Sequence, residues 1–240
     1  MIFELSEQLA FPDPHLAEDD GLLALGGDLS PERLILAYNY GIFPWFDFRR
    51  EPIMWWCPKE RFVIFPNEIH ISHSMRQLLR SGRYKATINQ AFDHVIENCG
   101  KNNRRNEHPG AWLGNDIISA YTRLHEMQFA ASIEVWADSS ELDDDSRYAN
   151  AYVDRRFGTL IGGLYGILLQ SSGNAKAKYN FFGESMFSIA PSASKFALIK
   201  LSELMSNGGG IIDCQFETPH LKSMGGRYIP YDEYMKYLQG

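Results

Sequence analysis

The chain is short of cysteine, of positive charge and of long apolar runs, and each shortage removes a class of function. Its three cysteines, Cys57, Cys99 and Cys214, are odd in number and include no C-x-x-C pair. That excludes a disulfide framework and a thiolate zinc site, and it fits a reducing compartment. The seven histidines offer no helical H-x-x-x-H with a carboxylate, so no metal is expected. The longest nearly apolar run, residues 158–169, falls short of the roughly 20 residues that span a bilayer. The N-terminus has no basic region followed by an apolar stretch, so it does not read as a signal peptide, and a cytoplasmic protein without membrane contact is expected. Lysine plus arginine total 23 against 30 aspartate plus glutamate, a net charge of −7. Taken whole, that total argues against a surface coated for nucleic acid.

What is present suits a folded enzyme-sized protein. The 240 residues are 45% hydrophobic and include 15 Phe, 12 Tyr and 5 Trp, enough for one substantial core or two modest ones. Residues 1–60 form a small aromatic-rich unit with one clear helix. Ser30 is its N-cap, Pro31 its first residue, and Gly41 its stop. The segments GIFPWF (41–46) and IMWWCP (53–58) are either core or a platform on which a base stacks. From 61 to 240 helices and strands alternate in one mixed α/β domain. Ser72 and Asn89 cap helices, and Ile117, Ala120, Tyr121 and Leu124 mark the buried stripe of a third. Strands are expected at 130–136, 159–169, 179–184 and 210–216, with helices at 194–205 and after Thr218. The acidic stretch 138–154 and the polar loop 170–178 read as outward extensions of hairpins.

Three features can carry chemistry. First, charge is segregated. Residues 73–105 hold seven basic residues and two acids, so Arg76, Arg80, Arg83, Lys85, Lys101, Arg104 and Arg105 stand against an acidic remainder. Arg76 and Arg80 are four apart, opposite Met75, Leu78 and Leu79, so one helix face can meet a phosphate chain; a merely solvated face is the alternative. Second, in GGIIDCQF strand alternation puts Asp213 and Gln215 on one face and Cys214 on the other. If buried, the Gln215 amide donates to the Asp213 carboxylate and turns its carbonyl oxygen outward to orient an amine, or else the pair ties down a loop. Third, Glu184 is the lone acid of FFGESMFS. It is either paired or reads a cationic ligand. Gln170–Ala175 fits a pyrophosphate loop of acetyltransferases, but no helix follows to aim at the phosphates, so coenzyme A is not expected. Cys214 with His220 as nucleophile and base is disfavoured by the same alternation.

The ordered segments GLLALGGDLSPERLILAYNYGIFPWF (21–46), WWCPKER (55–61), HISHSMR (70–76), AYTRLHE (120–126), SIEVW (132–136), GGLYG (162–166), FFGESMFS (181–188), SASKFAL (192–198) and IIDCQ with HLKSMG (211–225) closely resemble the leucyl/phenylalanyl-tRNA-protein transferases. The resemblance runs from about residue 11 to 235. It implies a mixed α/β (α+β) fold: a small N-terminal domain, 1–60, and a catalytic domain, 61–240, like the GCN5-type acetyltransferases. It implies transfer of Leu or Phe, less readily Met, from aminoacyl-tRNA to proteins with N-terminal Arg or Lys, marking them for N-end-rule degradation. No cofactor is implied, and a monomer is expected. By motif, Asp213, Gln215 and Glu184 would be catalytic, and Trp45 and Trp136 would hold the terminal adenosine. Leu164, Met186 and Leu198 would line the aminoacyl pocket, and Arg76, Arg80, Arg83 and Lys85 would contact tRNA. A non-catalytic tRNA- or RNA-binding module using the same basic face is the alternative.

Overall fold

Ser30, Ser72 and Thr218 each accept from a backbone N–H left over at a helix start, as the sequence places them to do. The computed structural model describes residues 2–47, 52–105, 114–142, 146–171, 173 and 178–240, with the side chains at 102–105 and 141 excepted. The side chains of Arg104 and Arg105, His108, the acids 143–145 and most of the 170–178 loop lie outside these residues.

The first sheet is built from β1 (Phe3–Leu5), β2 (Leu22–Gly26), β3 (Phe43–Pro44) and β4 (Met54–Trp56) in the order β1-β2-β4-β3. Between β2 and β3 runs α1 (Pro31–Asn39), whose N-cap Ser30 accepts from Arg33 N–H and whose exit turns through Gly41 at φ 69°. The four strands are additions to the one helix that the sequence shows in this region. At two to five residues each, they are too short for a period of two to register.

The second sheet follows β5 (Glu60–Ile64), β6 (Tyr84–Ile88), β7 (Ala130–Ala137), β8 (Val153–Asp154), β9 (Gly158–Gln170), β10 (Tyr179–Ser188), β11 (Ile212–Asp213) and β12 (Arg227–Pro230). Its order is β12-β5-β11-β10-β9-β7-β6, with β8 on β9. Neighbours are antiparallel except β10 and β11, which run parallel because α5 (Ala193–Met205) carries the chain from one to the other. The helices α2 (His73–Ser81), α3 (Phe92–Arg105), α4 (Asn115–Glu126), α6 (Pro219–Ser223) and α7 (Tyr231–Gln239) complete the chain.

Alternation along β7 divides the core. Ile133, Val135 and Ala137 face α5 and α2, whereas Ala130 and Trp136 belong to the cluster with α3, α4 and α1. Leu34, Ala37 and Tyr38 of α1 and Tyr234 and Leu238 of α7 join that second cluster, so the two sheets share one apolar interior. At Gly162 of β9 a Cβ would lie 2.5 Å from the Ala193 Cβ, which is how closely the start of α5 seats on the sheet.

Two local expectations are corrected. Asn89 does not cap α3: its φ is 55° and its side-chain oxygen accepts from Ser132 N–H at 2.8 Å, so it is spent across the sheet. The expected strand 210–216 shrinks to Ile212–Asp213, because Gln215 adopts φ 57°, which no strand continues through.

Candidate active site

The cavity arises where a strand departs. β11 pairs with β10 only at Phe181 and Phe182, whereas β10 continues on β9 to Ser188. Past Phe182, β10 is therefore paired on one side only, and its open edge becomes the wall of a cavity of about 620 Å³. Leu164, Met186, Leu198, Leu201 and Leu221 give this space an apolar part, and Phe43, Pro44 and Trp45 close it from the first sheet. Clefts form beyond the carboxyl ends of parallel strands for this reason of splay.

Glu184 reaches the cavity through a bulge. The β9–β10 register shifts between Gly183 and Ser185, leaving Glu184 as the extra residue, and a bulge re-aims the side chain it carries. Tyr38 of α1 donates to one carboxylate oxygen at 2.6 Å and Tyr121 of α4 to the other at 3.0 Å. Burial pushes the Glu184 carboxyl up to about 7; the two phenols pull it down less than burial raises it, and Asp213 adds to the rise.

Asp213 and Gln215 do not form the expected side-chain pair. Asp213 lies behind the cavity, 1% exposed, and does not line it. One oxygen accepts from the Gln215 backbone N–H at 2.9 Å, the other from the Tyr234 hydroxyl at 2.7 Å, with Arg61 Nε at 3.4 Å. The Gln215 side chain lines the cavity. In the orientation that satisfies it, its NH2 donates to Gly183 O at 2.9 Å and Cys214 O at 3.1 Å, leaving its carbonyl oxygen as the acceptor it offers. The geometry expected of Gln215 is thus reached through backbone carbonyls rather than the Asp213 carboxylate. The left-handed turn is the reason: alternation holds through Ile212, Asp213 and Cys214, and the turn then brings Gln215 to the cavity side beside Cys214. Alternation therefore does not separate Cys214 from His220. What disarms a nucleophile there is burial together with Asp213, which push the thiol well up and away from thiolate.

Trp45 stands at the mouth, 43% exposed, with its ring edge-on to Trp56 at 5.7 Å and near Phe216 at 5.6 Å. Trp136 is not its partner. It is fully buried against Tyr152 and Phe157, with its indole N–H on Thr87, so it offers no face to a base. Arg76 and Arg80 project from α2 while Met75 is buried, and Arg83 and Lys85 lie exposed at the start of the edge strand β6. None of these four lines the cavity.

The family model described as leucyl/phenylalanyl-tRNA protein transferase matches residues 63–143 and 146–239, and the model for that family's N-terminal domain matches 27–59. The chain belongs to the leucyl/phenylalanyl-tRNA protein transferase family. Among curated relatives with that name, the one from Flavobacterium psychrophilum is 42% identical over 98% of this chain and 98% of its own. That from Desulforapulum autotrophicum is 43% identical over 100% of this chain and 92% of its own, and that from Pectobacterium carotovorum is 43% identical over 99% and 89%.

Within this family member, the cavity gathers Trp45, Leu164, Glu184, Met186, Leu198 and Gln215. Sequence reasoning missed the residues that hold them: Tyr121, read only as part of a buried stripe, and Tyr38, Arg61 and Tyr234. The signals were a phenol within a buried stripe, which must find a partner, and an arginine opening the apolar run FVIF. No group of three or more potential metal-ligating side chains occurs among the described residues, and no described helix is long and apolar enough to cross a membrane.

Proposed function

We propose that this protein is an aminoacyltransferase that moves Leu or Phe, and less readily Met, from aminoacyl-tRNA to the α-amino group of proteins beginning with Arg or Lys, marking them for N-end-rule degradation. The observation that carries the reading is a single cavity holding an apolar end, a fixed amide acceptor at Gln215 and a half-buried acid at Glu184. The apolar end suits an unbranched-at-Cβ side chain, and one methylene is worth only about 1–3 kcal/mol, so selection among donors is by shape and incomplete. Glu184 supplies the negative partner for a guanidinium or ammonium group. Trp45 offers a stacking face to the terminal adenine, and Arg76, Arg80, Arg83 and Lys85 offer phosphate contacts.

The chemistry asks for positioning. An α-amine with an ordinary pKa of about 7.7–8.0 attacks the ester carbonyl carbon; the new C–N bond forms, the C–O bond to the ribose breaks, and the amine proton passes to the departing ribose oxygen. The Gln215 carbonyl accepts a hydrogen bond from the amine and aims its lone pair. Asp213 acts behind it, through the backbone, rather than as the base. The enzyme would act as a monomer in the cytoplasm.

Incubating the full chain with labelled Phe-tRNA and a peptide beginning with Arg should yield the peptide lengthened by Phe. Salt-sensitive tRNA binding without any product would instead establish a non-catalytic RNA-binding module.

A further inference from the structure

We propose that Arg61, which does not line the cavity, is a positioning residue of the transfer site: with Tyr234 it clamps the Asp213 carboxylate, and Asp213 in turn holds the left-handed turn that presents Gln215. The proposal rests on the reading of Gln215 given above.

The clamp is closed on every side. Arg61 and Asp213 are each 1% exposed, with Nε 3.4 Å from Oδ2, inside ion-pair reach though not aligned as a hydrogen bond. The guanidinium lies between the rings of Phe43 at 4.7 Å and Tyr234 at 4.9 Å, and it donates to Gly41 O. Gly41 is required there: at φ 69° a Cβ would come within 2.7 Å of the Tyr234 ring. A buried guanidinium without an anion is strongly unfavourable, and Asp213 is the carboxylate within ion-pair reach of it.

The turn needs such a clamp. Gln215 has φ 57°, and Phe216 N–H closes on Cys214 O at 2.6 Å, a three-residue turn of the strained hand. A non-glycine residue stays in such a conformation only when its surroundings over-determine it. The Gln215 N–H to Asp213 Oδ1 bond is the one contact of this turn made by a charged group, and charge-assisted bonds are the stronger ones.

The groups facing Asp213 are Arg61 of β5, Tyr234 of α7, Glu184 of β10, and the thiols of Cys57 and Cys214. Burial raises the Asp213 carboxyl, and Arg61 is the largest influence that lowers it, followed by the Tyr234 hydroxyl and the Gln215 N–H. Without Arg61 the strongest influence holding the carboxylate charged is gone, so burial raises the Asp213 carboxyl further and weakens the charge-assisted hold on Gln215.

The test is steady-state transfer from Phe-tRNA to an Arg-peptide by full-length Arg61→Met, Arg61→Lys and Tyr234→Phe, from about pH 6 to about pH 9. Absence of product from the unaltered protein would overturn the site reading itself, apart from the clamp. The clamp predicts that Arg61→Met lowers kcat at neutral pH about tenfold or more, that kcat recovers toward the unaltered value as pH rises, and that KM for Phe-tRNA changes by less than about twofold. Arg61→Lys should restore part of kcat. Tyr234→Phe keeps the ring and both stacks, so it should fold and show the same upward shift of the acid limb, smaller in size. A kcat loss equal at all pH values in Tyr234→Phe, or KM rising in step with it, would overturn the proposal even if Arg61→Met fails to fold.

Discussion

The hydroxyl oxygens of Tyr38 and Tyr121 lie 2.6 Å apart while both phenols also reach Glu184. Three oxygen groups thus close a triangle of three contacts. With Glu184 ionised the triangle holds only the two phenolic protons; with Glu184 protonated each contact has its own. As donors the two phenols favour the carboxylate, so it is burial, with Asp213 adding to it, that outweighs them and raises the carboxyl to about 7.

The fold therefore favours the protonated acid, and the sign of the stability effect follows. Between its ordinary 4.5 and about 7 the folded protein binds more protons at Glu184 than the unfolded chain, so stability from this group falls as pH rises through that window. The loss is on the order of 3 kcal/mol. Denaturation midpoints at about pH 5 and pH 8 should differ more for the unaltered protein than for Glu184→Gln. Equal differences would refute the assignment.

Acceptor binding should carry the opposite dependence. Only ionised Glu184 attracts a guanidinium, so KM for an Arg-peptide should fall as pH passes about 7. In Glu184→Gln that fall should vanish, leaving only the rate increase from deprotonating the α-amine near 7.7–8.0. A KM profile unchanged by the substitution would remove Glu184 from acceptor recognition.

Gln215→Ala removes the fixed carbonyl and leaves the apolar cavity and the basic face intact. Turnover should drop about 10²-fold or more while tRNA affinity stays within about twofold. Equal loss of both would make Gln215 a structural residue.

The basic face is separable from the chemistry. Arg76→Ala and Arg80→Ala should each weaken tRNA binding and lower the slope of log affinity against log salt by about one, with kcat at saturating tRNA unchanged. An unaltered slope would mean that α2 does not meet phosphate.

What could be read beforehand was local. Ser30, Ser72 and Gly82 mark helix ends by chemistry that acts within a turn, and the stripe Ile117, Ala120, Tyr121 and Leu124 is fully buried or nearly so. The residues that line the cavity could be named from their resemblance. Their supports could not, because Arg61 meets Asp213, and Tyr38 meets Glu184, only through the fold. Alternation, a rule for regular strands, failed at Gln215 because one positive φ ends the strand at Asp213, three residues short of the expected 216. It placed Gln215 on the face of Asp213 rather than of Cys214 and gave its amide the wrong acceptor, though it left the carbonyl oxygen free as found. The fate of Trp136 turned on packing against Tyr152 and Phe157, which the motif that suggested it does not contain.

The bulge at Glu184 also determines which kinds of genetic change this site can survive. Phe182 and Phe187 are an odd number of positions apart yet share one core cluster, and Met186 sits with the other, an arrangement that period-two geometry permits only because one residue is extra. A substitution at 184 alters one group. Deleting one residue from 183–185 would instead restore the regular ladder with Phe182 and Phe187 four positions apart and still on one face, so core and pocket lining keep their sides while the bulge that presents the carboxylate is lost. A one-residue deletion at the bulge should thus spare the core and cost the site its acid, whereas a one-residue deletion elsewhere in the strand turns every residue beyond it to the other face.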